Sequence, residues 1–133
     1  MGDPEAQPIM ARLKPDLVGV MEHAVNGTLD AVELEWDRRT ALGVVMAAAG
    51  YPVAPRKGEV ITGLPADAAE TMVFHAGTAL NAQGDVAVAG GRVLCVTALA
   101  DSVAQSRERA YAALDGIHFD GMLYRRDIGH RAL

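Results

Sequence analysis

Two short stretches and one isolated position carry the side chains best suited to binding a polar substrate. Asp3, Glu5 and Gln7 set two carboxylates and an amide at every second position, ahead of Pro8. Asp3 precedes Pro4, which biases it to an extended conformation. Continued extension would point all three side chains one way, towards an amine or another hydrogen-bond donor. In "VFHAGTAL", His75 and Thr78 flank an Ala-Gly break at the end of an apolar strand, a place from which site residues often project. A turn with a satisfied histidine is the plainer reading. In "VAVAGGRVL", Gly90 and Gly91 precede Arg92. The plainer reading there is a hairpin turn between two strands. The functional one lets the glycine backbone approach a ligand while Arg92 offers its fork to a phosphate or carboxylate.

Other chemistries find less support. His23, His75, His118, His130 and Cys95 include no pair at zinc-site spacing, so a structural or solvent-facing role is expected at each. No GxxxxGK[ST] loop and no GxGxxG after a strand occurs. Cys95 sits inside "RVLCVTAL", where it should pack as a small apolar residue. Lys57 reads as a solvated loop charge. Asp3 and Glu5 are the best acid pair, but a pair of carboxylates by itself specifies no reaction.

The elements that must hold these groups follow from patterning. Pro8 suits the first turn of a helix through about Lys14. Pro15 starts a second, with Leu17, Val18, Met21, Ala24 and Val25 on one apolar face, closed by Asn26-Gly27. "ELEW" and "TALGVVMAAAG" read as strands, the latter apolar enough for burial on both faces. After the turn-rich "GYPVAPRKG" come strand candidates "EVITGL", "TMVFHAG", "DVAVAG" and "RVLCVTAL". Ser102 and Gln105 match a capping box, and Val103, Ala110, Leu114 and Ile117 give the following helix a buried stripe. "GMLY" reads as a last strand before the polar tail "RRDIGHRAL". The expected fold is α+β: short N-terminal helices, then a mostly antiparallel curved sheet or partial barrel with a flanking helix.

The 133 residues amount to one domain's worth of chain, with 50% hydrophobic residues and only 5% aromatic. Twelve Lys+Arg against 17 Asp+Glu leave a net charge of −5 and no basic field for nucleic acid or anionic membrane. One cysteine fits a reducing compartment. No segment approaches the ~20 apolar residues of a membrane span, and the N-terminus lacks the blocks of a signal peptide. A cytoplasmic location is expected.

The order of motifs "GDPEAQPIMARLKPDLV", "ELEWDRRTALGVVMAAAGYP", "KGEVITGL", "VFHAGTAL", "GGRVLCVTALADS" and "RAYAALDGIHFDGMLYRRDIGHRAL" resembles the C-terminal portion of the phosphoribosylamine–glycine ligase (glycinamide ribonucleotide synthetase) family. These are ATP-grasp enzymes of de novo purine synthesis. The resemblance runs from Gly2 to Leu133 and implies residues 1–32 as the end of the ATP-grasp module and 33–133 as the C-terminal domain. In the family, "GDPE" continues from the pattern E-x-N-x-R-x, whose Glu and Asn hold the magnesium of ATP. Those ligands lie upstream of Gly2, so the chain reads as a piece of a longer enzyme, inactive alone and without a metal or nucleotide of its own.

For the intact enzyme, the resemblance implies ATP with Mg (or Mn), glycine and phosphoribosylamine. ATP turns the glycine carboxylate into an acyl phosphate, and the amine of phosphoribosylamine attacks it. The fragment's expected share is one wall of the substrate cleft, from Asp3, Glu5, Gln7, His75, Thr78 and Arg92. Its expected partners are the ATP-grasp and N-terminal domains, with no nucleic acid or membrane. The loop "AAAGYPVAPRKG" departs from the family's "GYPGxYxKG", which bears on Tyr51, and "ALAD" replaces "ALGD" at Ala100. A free-standing, non-catalytic binding or scaffold domain with the same fold is the competing reading. Retention of "GDPEAQPIMARL" counts against it, because that stretch would expose its apolar side without the ATP-grasp module.

Overall fold

A computed structural model describes residues 4–133. Its centre is strand β5 (Arg92–Ala100), flanked antiparallel by β1 (Thr40–Ala47) and β2 (Thr71–His75), in the order β1-β5-β2. A separate ribbon pairs β3 (Thr78–Leu80) with β4 (Val86–Val88). The chain is α+β, as its patterning predicts, and the sheet is open.

Alternation along β1 and β5 decides what covers each face of the sheet. Leu42, Val44 and Met46 of β1 and Leu94, Val96 and Ala98 of β5 are buried in one cluster with Ala110 and Leu114 of helix α3 (Val103–Asp115). Each such buried Leu or Val contributes roughly 1.5–3 kcal/mol. The Ser102 hydroxyl caps α3 by accepting from Gln105 N at 3.2 Å. Ser106, fully buried one turn on, donates its hydroxyl to Thr40 O at 2.9 Å and ties α3 to the start of β1.

The opposite face of β1 lies under helix α1 (Ala6–Arg12). A Cβ on Gly43 would fall 2.9 Å from Pro8 Cγ and 3.0 Å from Cys95 Sγ, so glycine lets the helix sit on the strand. Pro8 occupies the third helical position, where a backbone N–H would have had no intrahelical acceptor. Helix α2 (Leu17–Val25) starts at Asp16, whose carboxylate accepts from Gly19 N at 3.1 Å. It closes at Gly27, with φ +69°. Its apolar face stays open, with Val18 61%, Met21 56% and Val25 87% exposed.

Four expectations need correction. "ELEW", "EVITGL" and "GMLY" are not strands; each is held by isolated bridges, Trp36 to Leu13, Val60 to Ala87, Thr62 to His118 and Leu123 to Ala47. Their alternating apolar residues serve loops that pass across the sheet edges. Gly90-Gly91 does not close a hairpin either. β4 pairs with β3, and β5 pairs with β1 and β2, so the glycines join two different sheets.

Candidate functional site

Glycine contacts build the site. Ala89 N and Gly90 N both donate to Gly77 O, at 2.8 and 3.1 Å, while Ala76 N and Gly77 N donate to Val93 O at 3.0 and 3.1 Å. A Cβ on Gly77 would meet Arg92 O at 2.5 Å and Gly90 Cα at 2.8 Å. The Ala-Gly break after β2 and the Gly-Gly link before β5 are therefore packed backbone to backbone, which only residues without side chains allow. The break turns His75 back onto Thr78, and His75 Nδ1 is hydrogen-bonded to Thr78 Oγ1 at 2.9 Å.

Arg92 follows at the first position of β5, opposite Ala47 and exposed at the end of the sheet. It lines two hollows together with Tyr51. One, of about 520 Å³, has an apolar wall from Val45, Ala47, Leu123 and Ile128, with Pro4 and Arg125 at its margin. The other, of about 420 Å³, is bounded by Pro52, Pro55, Ala76 and Gly91. Tyr51 stands between them on the turn after Gly50, ahead of a cis Tyr51-Pro52 bond. An apolar wall ending in a guanidinium suits a small anionic molecule with a hydrocarbon or sugar body.

The C-terminal segment completes the larger hollow. Arg107 donates to Ile128 O at 3.1 Å and to Arg126 O at 2.8 Å, and the Tyr111 hydroxyl donates to Arg125 O. Arg125 grips Asp127 through Nε and Nη2 at 2.9 and 2.6 Å. That pair holds the Asp127 carboxyl below its ordinary range, chiefly through the side-chain hydrogen bond, and raises Arg125.

The six residues expected at the site fare differently. His75 and Thr78 are joined to each other; they share the turn that brings Ala76 to the smaller hollow, but neither lines it. Arg92 lines both hollows. Asp3 lies outside the described residues. Glu5 is the exposed N-cap of α1 with helical φ −69° and ψ −19°, and Gln7 is in the first turn, so the expected extended alternation does not hold over these two. Residues two apart on a helix do not share a face. Gln7 nevertheless has a distinctive environment: its Oε1 is buried and without a hydrogen-bond partner.

The patterning missed the role of "RRDIGHRAL", which reads as a polar tail but supplies Arg125 and Ile128 to the wall. The apolar Ile128 inside the charged run was the available signal. Among the described residues no group of three or more His, Cys, Asp or Glu could hold a metal ion. No helix among them is long and apolar enough to cross a membrane.

Comparison with known proteins identifies the family. The domain family described as "Phosphoribosylglycinamide synthetase, C domain" matches residues 41–131. The chain is 59% identical over 133 residues to the phosphoribosylamine–glycine ligase of Ralstonia nicotianae and 55% identical over 134 residues to that of Vibrio cholerae. It spans 31% of the length of each of these curated relatives. The crystal structure of phosphoribosylamine–glycine ligase from Thermotoga maritima superposes with a TM-score of 0.76 at 37% identity, over 96% of this chain and 31% of that one. The chain belongs to the phosphoribosylglycinamide synthetase C-domain family.

Proposed function

We propose that this chain forms one wall of the substrate cleft of a phosphoribosylamine–glycine ligase, which joins glycine to 5-phosphoribosylamine in purine synthesis and releases ADP and phosphate. The observation that carries this reading is Arg92, set by the packed glycines at the junction of two hollows whose combined lining is apolar and cationic. On this reading Arg92 binds the phosphate of phosphoribosylamine, and Tyr51 with the Val45–Ala47 wall keeps water from the sugar. The bonded His75–Thr78 pair stiffens the turn that carries Ala76.

ATP with its magnesium would activate the glycine carboxylate as an acyl phosphate. On this reading that ion is held by other parts of the enzyme. Those parts, the ATP-grasp and N-terminal domains, are the chain's proposed partners. Residues 1–32 would close the ATP-grasp module and 33–133 form the C-terminal domain. The open face of α2, with Val18, Met21 and Val25, supports an apposed surface of that kind. A reaction on free metabolites fits a cytoplasmic setting.

The test is Arg92→Ala in a full-length chimera, with this chain substituted for the 133 residues it aligns with in the Ralstonia nicotianae ligase. Loss of a charge-assisted contact should raise KM for phosphoribosylamine by about tenfold or more. Unchanged KM for both phosphoribosylamine and glycine would remove Arg92 from the cleft.

A further inference from the structure

At the other end of β1 lies a hollow of about 590 Å³ in which three arginines converge: Arg12 from α1, and Arg38 and Arg39 from the approach to β1. Trp36 lines it as well, 40% exposed. Thr40 and Ala41 form its floor, seven residues along β1 from the Ala47–Arg92 pair. At ~3.3 Å per residue Arg92 stands about 23 Å from Thr40, although Gly43, two residues beyond Ala41, already lines the larger hollow; the inference rests on the arginines and Trp36, not on the cleft proposed above.

The arginines are held by a local clip. Asp37 N donates to Arg12 O at 2.7 Å and Lys14 N to Glu35 O at 3.1 Å, zipping the end of α1 to the Trp36 segment. Arg12 Nε donates to Asp37 O at 3.0 Å. Arg39 forks onto the Asp37 carboxylate with Nε and Nη2, the shortest contact being 2.6 Å. Asp37 thus sits behind the guanidiniums, its side chain 18% exposed, and does not line the hollow. These bonds leave both terminal nitrogens of Arg12 for a ligand. Arg38 is exposed and makes no side-chain hydrogen bond or ion pair among the described residues.

Other charges nearby are engaged: Lys14 pairs with Glu35 at 3.1 Å, and Glu70 with Arg109 at 3.1 Å. Asp101 and Glu70 both act on Arg39 through space. None of these carboxylates lines the hollow. Arg39 is compensated by Asp37, so two guanidiniums, those of Arg12 and Arg38, face the opening without a carboxylate in its wall, in a chain whose net charge is −5.

We propose that the Arg12–Trp36–Arg38–Arg39 hollow binds a nucleotide-class ligand, a flat ring carrying phosphate. The indole offers a surface on which a base stacks, and the Arg12 and Arg38 forks meet the phosphate. The volume suits a mononucleotide, being within the ordinary range of small-molecule sites.

Trp36 is the sole tryptophan, so its fluorescence reports on this site alone. The test titrates the 133-residue chain with AMP, exciting at the red edge of the indole band where adenine absorbs little. The expected result is saturable quenching with a midpoint below about 1 mM, weakened about fivefold or more by Arg38→Ala. Arg92→Ala should leave the midpoint unchanged. Inorganic phosphate and ribose 5-phosphate should bind more weakly than AMP. The proposal is overturned by an absence of saturable quenching, or by a midpoint equal to wild type in Arg38→Ala. A midpoint moved by Arg92→Ala, or quenching by inorganic phosphate as effective as by AMP, also overturns it. So does an acidic peptide such as oligoglutamate binding where AMP does not. Arg12→Ala removes part of the clip, so Arg38→Ala, which touches no structural bond, is the deciding variant.

Discussion

Tyr51 occupies the space that a side chain on Gly91 would need: a Cβ there would lie 2.6 Å from Tyr51 Cδ2 and 3.2 Å from Cε2. The tyrosine is 40% exposed, so it can swing away when challenged. Gly91→Ala is therefore expected to change thermal stability little, by less than about 1 kcal/mol, while displacing Tyr51 from both hollows. In the chimeric ligase it should raise KM for phosphoribosylamine with a near-normal melting temperature. A large drop in melting temperature would show that Tyr51 is pinned.

Gly77 is the opposite case. Its three nearest neighbours are backbone atoms, Arg92 O at 2.5 Å, Gly90 Cα at 2.8 Å and Gly90 N at 3.0 Å. None can rotate away, so Gly77→Ala must separate the two strand ends. It should cost about 1–3 kcal/mol, read as a lower denaturant midpoint at unchanged slope. An unchanged midpoint would mean that the turn is not packed as described.

The contrast between these glycines shows what patterning could reach. β5, β1 and the capped α3 were legible because the largely apolar runs "RVLCVTAL" and "TALGVVMAAAG" suit buried strands and the Ser102–Gln105 spacing suits an N-cap. "GGR" was not, because a Gly-Gly pair between two strands serves a hairpin as well as a crossing between sheets. Only the register of β3 against β4 distinguishes them. "ELEW" has the composition of a strand, yet Trp36 finds only Leu13 to bridge, and a single bridge leaves the rest of the segment a loop. Of the residues expected at the site, His75, Thr78 and Arg92 do stand at strand ends, but only Arg92 lines a hollow. Glu5 and Gln7 were misjudged in orientation, because the helix begins earlier than Pro8 suggests.

The Asp37–Arg39 pair gives a pH prediction. Its hydrogen bonds to Arg39 hold the Asp37 carboxyl far below the ordinary 3.8. A depressed folded-state pKa contributes stability that is present above 3.8 and lost as pH falls through the folded-state value. Asp37→Asn should thus lower the melting temperature at pH 7, and the gap from wild type should narrow below about pH 3 as the wild-type carboxylate is protonated. A gap that stays constant from pH 7 to 2 would assign the effect to packing.

Ser106 offers a stability test away from either site. Its hydroxyl is fully buried and donates to Thr40 O across 66 residues of sequence. Ser106→Ala leaves the volume nearly unchanged but deprives that carbonyl of this donor. A loss of about 1–2 kcal/mol is expected by chemical denaturation. A neutral result would mean that water replaces the hydroxyl at the α3–β1 junction.

Thr78→Val removes the hydroxyl bonded to His75 while keeping the branched shape that suits β3. The pair is half-exposed, so stability should change by less than about 0.5 kcal/mol. If the pair orders the turn beside Arg92, KM for phosphoribosylamine in the chimera should rise severalfold with kcat within about twofold. A fall in kcat at constant KM would instead place His75 in the chemical step.

The most direct measurement of the central claim is formation of glycinamide ribonucleotide by the unmutated chimera, assayed with ATP, glycine and phosphoribosylamine. If this chain is the cleft wall proposed, the chimera should turn over within about tenfold of the parent ligase, a loss of no more than ~1.4 kcal/mol in the barrier. A chimera that folds and binds ATP but makes no product would contradict the account.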